Sequence, residues 1–362
     1  MSIKDKLNIS RLKKQGDIPG LIKALGSDNP DMSESAFSFL EKEKKNPAVV
    51  LGLKKALKNE NWRIREASAR LLGKIGQEPG VVDALYEALN DSGWRVRLAC
   101  LKALKDIGIL EKAWIERIFL LLKDEYEQVQ EEAKLLIRKS VPPDVFVDSF
   151  KDVQDEQIKR LLVEILSDIP ADSNTVSLLV AKLEDEDAQI RTISAGGLKK
   201  ISPAFKEKIL PAFTKALRDK HPGVKKQAAL GIMKMGPSAG EAVAGLIDNL
   251  KDRSFGSRKS ALEALRKIRP SAGEALTAMI DVLSDGREED RALAADIIGN
   301  MEETATGAVG SLIEGLDDSS ELVRKRVASS LCRVTGQDFG DDKEKWLNWW
   351  KSTKENNTGK GD

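Results

Sequence analysis

Seven cations recur at one position of a repeating pattern, and their chemistry could serve either binding or structure. Each follows an Asp or Asn by six residues, as in LEDEDAQIR (183–191), LRDKHPGVK (217–225) and LDDSSELVR (316–324). A row of such cations could bind phosphate groups along a track. The acidic or amide side chain beside each cation argues against an uncompensated track. The seven are Arg65, Arg97, Arg191, Lys225, Arg258, Arg291 and Arg324.

A second row of cations falls 15 residues after the same Asp or Asn. Its members are Lys74, Lys200, Lys234, Lys267 and Arg333. They are expected near the C-terminal ends of helices, away from the apolar stripe, where a cation complements the helix dipole. The same row could also bind a partner, and the sequence leaves both interpretations open.

Two tryptophans occupy matching positions in a near duplicate of 32 residues. Trp62 and Trp94 stand in NWRIR and GWRVR, at the expected turn between the two helices of a unit. They could be partly exposed anchors for a partner, since Trp and Arg are enriched at binding hot spots. They could equally be packing residues between repeats.

Residue types suited to catalysis or metal binding are sparse. His221 is the only histidine, and Cys100 and Cys332 are far apart, so no His pair, Cys/His dyad or zinc-ligand spacing occurs. A phosphate-binding loop of the form G-x-x-x-x-G-K-[ST] is also missing. The sequence therefore predicts a protein that is not an enzyme, with no catalytic residues, no cofactor and no metal.

The elements that position these residues follow from the period, which is about 33 residues between 183 and 335. A short first helix opens each unit, and the Asp after it is placed to accept from free N–H groups that open the second helix. Gly76, Gly108 and Gly236 are placed to end second helices. Apolar residues at helical spacing predict the buried face of a second helix at Val96, Ala99, Cys100, Ala103, Leu104 and Ile107.

The order of Leu, Asp and cation resembles HEAT repeats, in particular the PBS-lyase HEAT-like repeats of bacteria and archaea, written L-x-D-x-x-x-x-V-R-x-x-A-x-x-x-L. The resemblance covers roughly residues 18 to 336. It implies an all-α fold, an α-solenoid (superhelix) of about ten helix-turn-helix units, in which the Asp and the cation tie adjacent units together. The sequence departs from the pattern at Gln130 and Glu131, and throughout 140–172.

The end of the chain differs from the repeats. Residues 1–336 are expected to form the solenoid, 337–353 a Trp-rich capping segment and 354–362 a disordered tail. Phe339, Trp346, Trp349 and Trp350 share one helix face, which could cover the exposed last repeat. The tail is polar, which is typical of disorder.

Charge is balanced overall and uneven along the chain. Lys and Arg number 59 and Asp and Glu 58, so the formal net charge is +1. Residues 111–190 carry −9, 191–270 carry +12 and 271–322 carry −11. The sequence has no signal peptide and no apolar run of membrane-spanning length, which predicts a cytoplasmic protein without membrane contact.

Taken together, these patterns predict a monomeric, non-catalytic scaffold that binds a protein partner along the surface of its second helices. The basic segment 191–270 favours an acidic or extended partner. Two alternatives remain: a bilin-lyase-like accessory protein, which the family resemblance implies, and nucleic-acid binding through 191–270. The shortage of aromatic residues in that segment makes nucleic acid the less favoured partner.

Overall fold

The computed structural model describes residues 3–108, 112–150, 153–201, 204–252 and 254–358. Within these ranges the chain is helical and contains no β-strand, which confirms the all-α prediction. The helices divide into two compact units, 1–170 and 171–362. The division falls inside 140–172, where the sequence pattern is weakest.

The first unit holds α1 and five helix pairs, each made of a first and a second helix. The helices are α1 (Ile3–Gln15), α2 (Ile18–Ala24), α3 (Pro30–Lys42), α4 (Pro47–Ala56), α5 (Trp62–Ile75), α6 (Val81–Glu87), α7 (Trp94–Ile107), α8 (Lys112–Leu120), α9 (Glu127–Ser140), α10 (Pro143–Phe150) and α11 (Glu156–Leu166). The odd-numbered helices from α3 to α11 are the second helices of their pairs.

The second unit holds five more pairs and a final helix. The helices are α12 (Ser173–Ala181), α13 (Ala188–Ile201), α14 (Lys206–Ala216), α15 (Pro222–Met235), α16 (Val243–Asp248), α17 (Phe255–Ile268), α18 (Ala272–Asp285), α19 (Glu288–Asn300), α20 (Val309–Glu314), α21 (Glu321–Thr335) and α22 (Lys343–Thr358). Ten pairs in the described residues agree with the predicted number of repeats, and each unit is an α-solenoid.

Second helices of consecutive repeats pack side by side, as α5 does on α7 and α15 on α17. The predicted apolar face of α7 is buried, with Val96, Cys100 and Leu104 fully enclosed. Small residues allow this packing, because a Cβ at Gly73 would lie 2.7 Å from the Cβ of Ala103. Burial also raises the pKa of the Cys100 thiol, as expected of a small core residue.

The Asp that follows six of the first helices makes a tighter turn than the sequence predicts. Its side chain accepts from the backbone N–H two residues on, which belongs to the residue that caps the second helix rather than to the helix itself. Asp91 accepts from Gly93 at 2.7 Å and Asp318 from Ser320 at 2.8 Å. At α21 the side chain of Ser320 then caps the helix N–H groups, whereas Gly93 before α7 makes no side-chain cap.

Glycines end several second helices as predicted. Gly76, Gly108 and Gly236 follow α5, α7 and α15 with φ of 88°, 77° and 60°. A side chain would strain this left-handed backbone, so glycine fixes where these helices stop.

The final helix covers the last repeat. α22 packs against α20, and Trp346 is fully buried there, with its ring 4.8 Å from that of Phe339. The Trp346 indole N–H also donates to the carbonyl of Gly340 at 2.9 Å. One expectation needs correction, because α22 continues to Thr358 and residues 354–358 are therefore helical. Residues 359–362, also expected to be disordered, lie outside the described residues.

Candidate functional site

The first row of cations lies between neighbouring second helices. Arg65 donates to both carboxylate oxygens of Asp91, at 2.6 and 2.8 Å, and also to the carbonyl of Asn59 in its own repeat, at 2.8 Å. Each such cation therefore joins two consecutive repeats. We call these pairs the rungs of a ladder, and the full rungs are Arg65–Asp91, Arg97–Asp124, Arg191–Asp219, Lys225–Asp252 and Arg291–Asp318.

Three ladder positions depart from this geometry. Arg258 pairs with Asp290 at 3.3 Å, because Asp285 is the last residue of α18 and is not in the usual turn. Gln130 takes the place of a cation, and its one side-chain hydrogen bond within the described residues is to its own repeat, where it donates to the carbonyl of Asp124 at 2.6 Å. Arg324, in the last repeat, donates to the carbonyls of Asp318 and Ser319.

The second row lies in the last turn of its second helices and is exposed. Lys74 reaches back to Glu41 of the preceding second helix at 2.6 Å, and Arg333 to Asp296 at 3.3 Å. For Lys234 and Lys267, no carboxylate within the described residues lies at ion-pair distance. Lys200, the remaining member, immediately follows Lys199 in α13. Carboxylates thus neutralise Lys74 and Arg333, whereas Lys234 and Lys267 have no such partner among the described residues.

Lys199 is a cation that the repeat pattern does not single out. Its ammonium group donates to the amide oxygen of Gln227 on α15 at 2.7 Å and is partly buried. Burial, followed by the charges of Lys234, Lys200 and Lys226, lowers the pKa of Lys199. We call these four lysines the lysine cluster. The run KK at 199–200 was the only sequence signal for it.

Trp62 and Trp94 are the first residues of α5 and α7. The guanidinium carbon of Arg95 lies 5.2 Å from the ring centroid of Trp62 and 4.5 Å from that of Trp94. Tyr126 stacks on Trp94, with centroids 5.2 Å apart and an angle of 21° between the planes. We call these four side chains the aromatic–arginine stack. Sequence reasoning missed Tyr126, although it stands 32 residues after Trp94.

The aromatic–arginine stack is both packed and open to solvent. Trp62 and Tyr126 are 37% and 38% exposed, so aromatic surface remains available at both ends of the stack. The stack borders a cleft of about 300 Å³ that is also lined by Glu60 and Ser92. Each Trp also packs against a residue of the following repeat, so both interpretations offered by the sequence describe part of what is observed.

His221 has a structural contact and belongs to no metal-binding group. Its ring nitrogen lies 3.2 Å from the backbone N–H of Gly223 and so caps α15. Across the described ranges, no three His, Cys, Asp or Glu side chains are grouped so that they could hold a metal ion. The same residues contain no helix with the length and apolar character needed to cross a membrane.

Comparison with known families agrees with the geometry of the repeats. The family of HEAT repeats matches residues 18–105 and 176–266. These two segments are therefore similar to HEAT repeats, as the order of Leu, Asp and cation predicts. The match does not reach the finer PBS-lyase-like type. No curated protein matches the chain.

Solved structures to which this chain is similar include a natural protein and two engineered or designed ones. Importin beta aligns with 88% of this chain and 53% of its own, at 14% identity and a TM-score of 0.50. This chain thus spans about half of importin beta, and the likeness concerns the fold. The chain is also similar to an engineered protein, at 20% identity and a TM-score of 0.45 over 88% of this chain and 98% of that one. A designed armadillo repeat protein aligns at 20% identity and a TM-score of 0.40, over 53% of this chain and 99% of its own.

Proposed function

We propose that this chain is a non-catalytic scaffold that binds a protein partner along the surface of its second helices. The aromatic–arginine stack is the observation that carries the proposal. Tryptophan, tyrosine and arginine supply most of the binding energy in many interfaces, and here they lie together and partly exposed on adjacent repeats. Rigid aromatic side chains lose little conformational entropy on binding.

Arg95 has a particular role in this proposal. Its guanidinium carbon lies 5.2 Å and 4.5 Å from the ring centroids of Trp62 and Trp94, and within the described residues its N–H groups donate no hydrogen bond. Arg63 has the matching position one repeat earlier and is paired with Asp28 at 2.7 Å. Arg95 is thus held in place by stacking, with its N–H groups available to a carboxylate of the partner.

The finer parts of the proposal rest on sequence. The motif with Val, Arg and Ala at fixed spacing supports the PBS-lyase HEAT-like type, and the chain is proposed to act as a cytoplasmic monomer. The net charge of +12 over 191–270 supports an acidic or extended partner. Within the described residues, no specific observation favours a bilin-lyase-like role or nucleic-acid binding over a protein partner.

Quantitative affinity capture from the native organism, read by mass spectrometry, tests the function. We expect the double variant Trp62→Ala, Trp94→Ala to lose the specific partner by about tenfold or more, since hot-spot truncations cost 1–2 kcal/mol or more each. Leu51→Ala, Leu120→Ala is the matched control, because it removes apolar side chains that are 54% and 63% exposed on the first helices. Equal capture by the Trp variant and the control, with both folded by circular dichroism, would refute the proposal.

A further inference from the structure

We infer that the lysine cluster of the second unit binds the carboxylates of an acidic peptide segment. The cluster consists of Lys199 and Lys200 on α13 and Lys226 and Lys234 on α15. The inference rests on the proposed function in one respect, which is that the ligand is a polypeptide. It names a second surface, distinct from the aromatic–arginine stack, and the chemistry that this surface recognises.

A comparison of equivalent positions shows what is unusual about Lys199. Lys105 of the first unit stands 14 residues after its ladder Asp, as Lys199 does after Asp185. Lys105 forms an ion pair with Glu132 of the next repeat, and both side chains are largely buried. The residue at the position of Glu132 is Gln227 in the second unit, so Lys199 meets an amide at 2.7 Å. The second unit thus retains the hydrogen bond of this lysine but not the negative charge that neutralises it in the first unit.

The environment of Lys234, like that of Lys267, differs in the same sense from that of two other members of its row. Lys74 and Arg333 each reach a carboxylate on the preceding second helix, Glu41 and Asp296 respectively. Among the charges that lower the pKa of Lys199 after burial, that of Lys234 on the following second helix is the largest. Two neighbouring contacts that are neutralised elsewhere in the chain are therefore left positive at one place.

Such an arrangement is costly without a ligand. The ammonium group of Lys199 is partly buried, so water compensates its charge poorly, and the exposed ammonium groups of Lys200, Lys226 and Lys234 add like charge around it. Among the described residues, no carboxylate lies at ion-pair distance from Lys199 or Lys234, so an external carboxylate can supply the missing counter-charge. Charge complementarity therefore assigns this surface an anionic partner.

The extent of the cluster favours a short acidic segment over a long polyanion. Adjacent packed helices lie about 8–10 Å apart, and an extended peptide spans that distance with about three residues. The next repeats of the same unit, residues 271–322, contain two bases and thirteen acids. A nucleic-acid strand that continued along those repeats would be repelled, whereas a segment of four to six residues can end within the basic repeats.

Fluorescence anisotropy with a labelled hexaglutamate peptide at low salt tests the inference. We expect the wild-type chain to bind the peptide and Gln227→Glu to bind it about tenfold more weakly, because an internal carboxylate then competes for the donors of Lys199. Gln189→Glu is the matched control. It adds the same charge to an exposed position near the other end of α13, about 15 Å away, and should change the affinity less than about twofold.

Three results would overturn the inference. The first is that the wild-type chain does not bind hexaglutamate. The second is that Gln227→Glu binds hexaglutamate as tightly as the wild type does. The third is that a six-nucleotide DNA strand or inorganic phosphate binds as tightly as the peptide and loses its binding to the same extent in Gln227→Glu. Gln227→Glu should also melt at or above the wild-type temperature, since it recreates the Lys105–Glu132 pair. If Gln227→Glu melts at a lower temperature than the wild type, the variant Lys234→Gln gives the deciding measurement. Lys234 is exposed, so its substitution should leave the fold intact, and the inference then requires that Lys234→Gln alone weakens hexaglutamate binding.

The proposals for the two binding surfaces can be refuted independently of each other. The variant Trp62→Ala, Trp94→Ala should bind hexaglutamate as the wild type does, because its substitutions lie in the other unit. Loss of the cellular partner in that variant together with normal hexaglutamate binding supports both proposals. Normal capture of the partner by that variant refutes the aromatic–arginine stack and leaves the lysine cluster to be judged by Gln227→Glu alone.

Discussion

Single residues of the ladder differ in how far they are enclosed. Arg97 and Asp124 form a rung whose side chains are 10% and 5% exposed. Arg97 also donates to the carbonyls of Asp91 and Ser92, so its guanidinium is bonded to two repeats at once. A group with this many partners cannot be removed without leaving others unsatisfied.

We therefore predict that Arg97→Ala lowers the free energy of unfolding by about 3 kcal/mol, because the enclosed Asp124 loses its counter-charge. Arg324→Ala should cost about 1 kcal/mol, since this Arg donates to carbonyls of its own repeat. Urea unfolding followed by circular dichroism compares the two variants. Similar losses would show that the charge pair between repeats contributes little.

The sequence identifies the residues of the ladder but not each partner. The spacing between Asp and cation places both at fixed points of a unit, whereas the pairing also depends on how the next first helix ends. α18 runs on through Asp285, which shifts Arg258 to Asp290. The sequence pattern did not single out Lys199 for a similar reason, because the lack of a counter-charge beside Lys199 depends on Gln227 in another repeat.

At the scale of helices, α22 closes the second solenoid with an aromatic face. Trp346 is fully buried, whereas Trp349 and Trp350 are half-buried. An ion pair between Lys343 and Asp317 joins the start of α22 to the turn after α20. The sequence predicted this helix from the spacing of its tryptophans, but not its continuation to Thr358, because a polar segment can extend a helix that packing has already formed.

We predict that Trp346→Ala lowers the free energy of unfolding by about 3–5 kcal/mol, since a large buried ring is lost and a cavity remains. Trp350→Ala is the control on the same helix and should cost less than half as much. Thermal unfolding with light scattering reads both stability and aggregation. Equal effects of the two substitutions would contradict the capping role of Trp346.

For the molecule as a whole, the ladder carboxylates link stability to pH. The hydrogen bond from Arg291 lowers the pKa of Asp318, and the pKa values of Asp219 and Asp252 are also lowered, by their cationic partners and against the effect of burial. A carboxyl whose pKa is lower in the folded state contributes stability above its unfolded pKa, and that contribution disappears as the pH falls through the folded pKa.

We predict that the melting temperature falls as the pH drops from about 5 to about 3, because unfolded Asp has a pKa near 3.9. Asp318→Asn should be less stable than the wild type at pH 7, and the difference should narrow over this acidic range. Calorimetry of both proteins across the range tests this. A constant difference between them would mean that Asp318 does not contribute through its charge.

The repeated helix pairs could be predicted from the sequence because the same order of Leu, Asp and cation recurs in successive repeats. Ten helix pairs and the buried stripe of α7 follow from the period and the apolar spacing. The two surfaces could be predicted only in part. Trp62 and Trp94 stand out in the sequence, but Arg95 and Tyr126 join them only through side-chain stacking between repeats.

Gln130 has a consequence for how the first unit opens. In a solenoid, each interface between neighbouring repeats is a separate coupling, and cooperativity is only as strong as the weakest coupling. Within the described residues, α9 has no enclosed rung to its successor, and two pairs that join these repeats, Lys123–Asp155 and Arg138–Asp168, are partly exposed to solvent and therefore weak. Amide protons of α10 and α11 can thus exchange through a partial opening that leaves α3 to α9 folded. We therefore expect a single glutamine to divide the unit into two segments whose amide protons exchange at different rates.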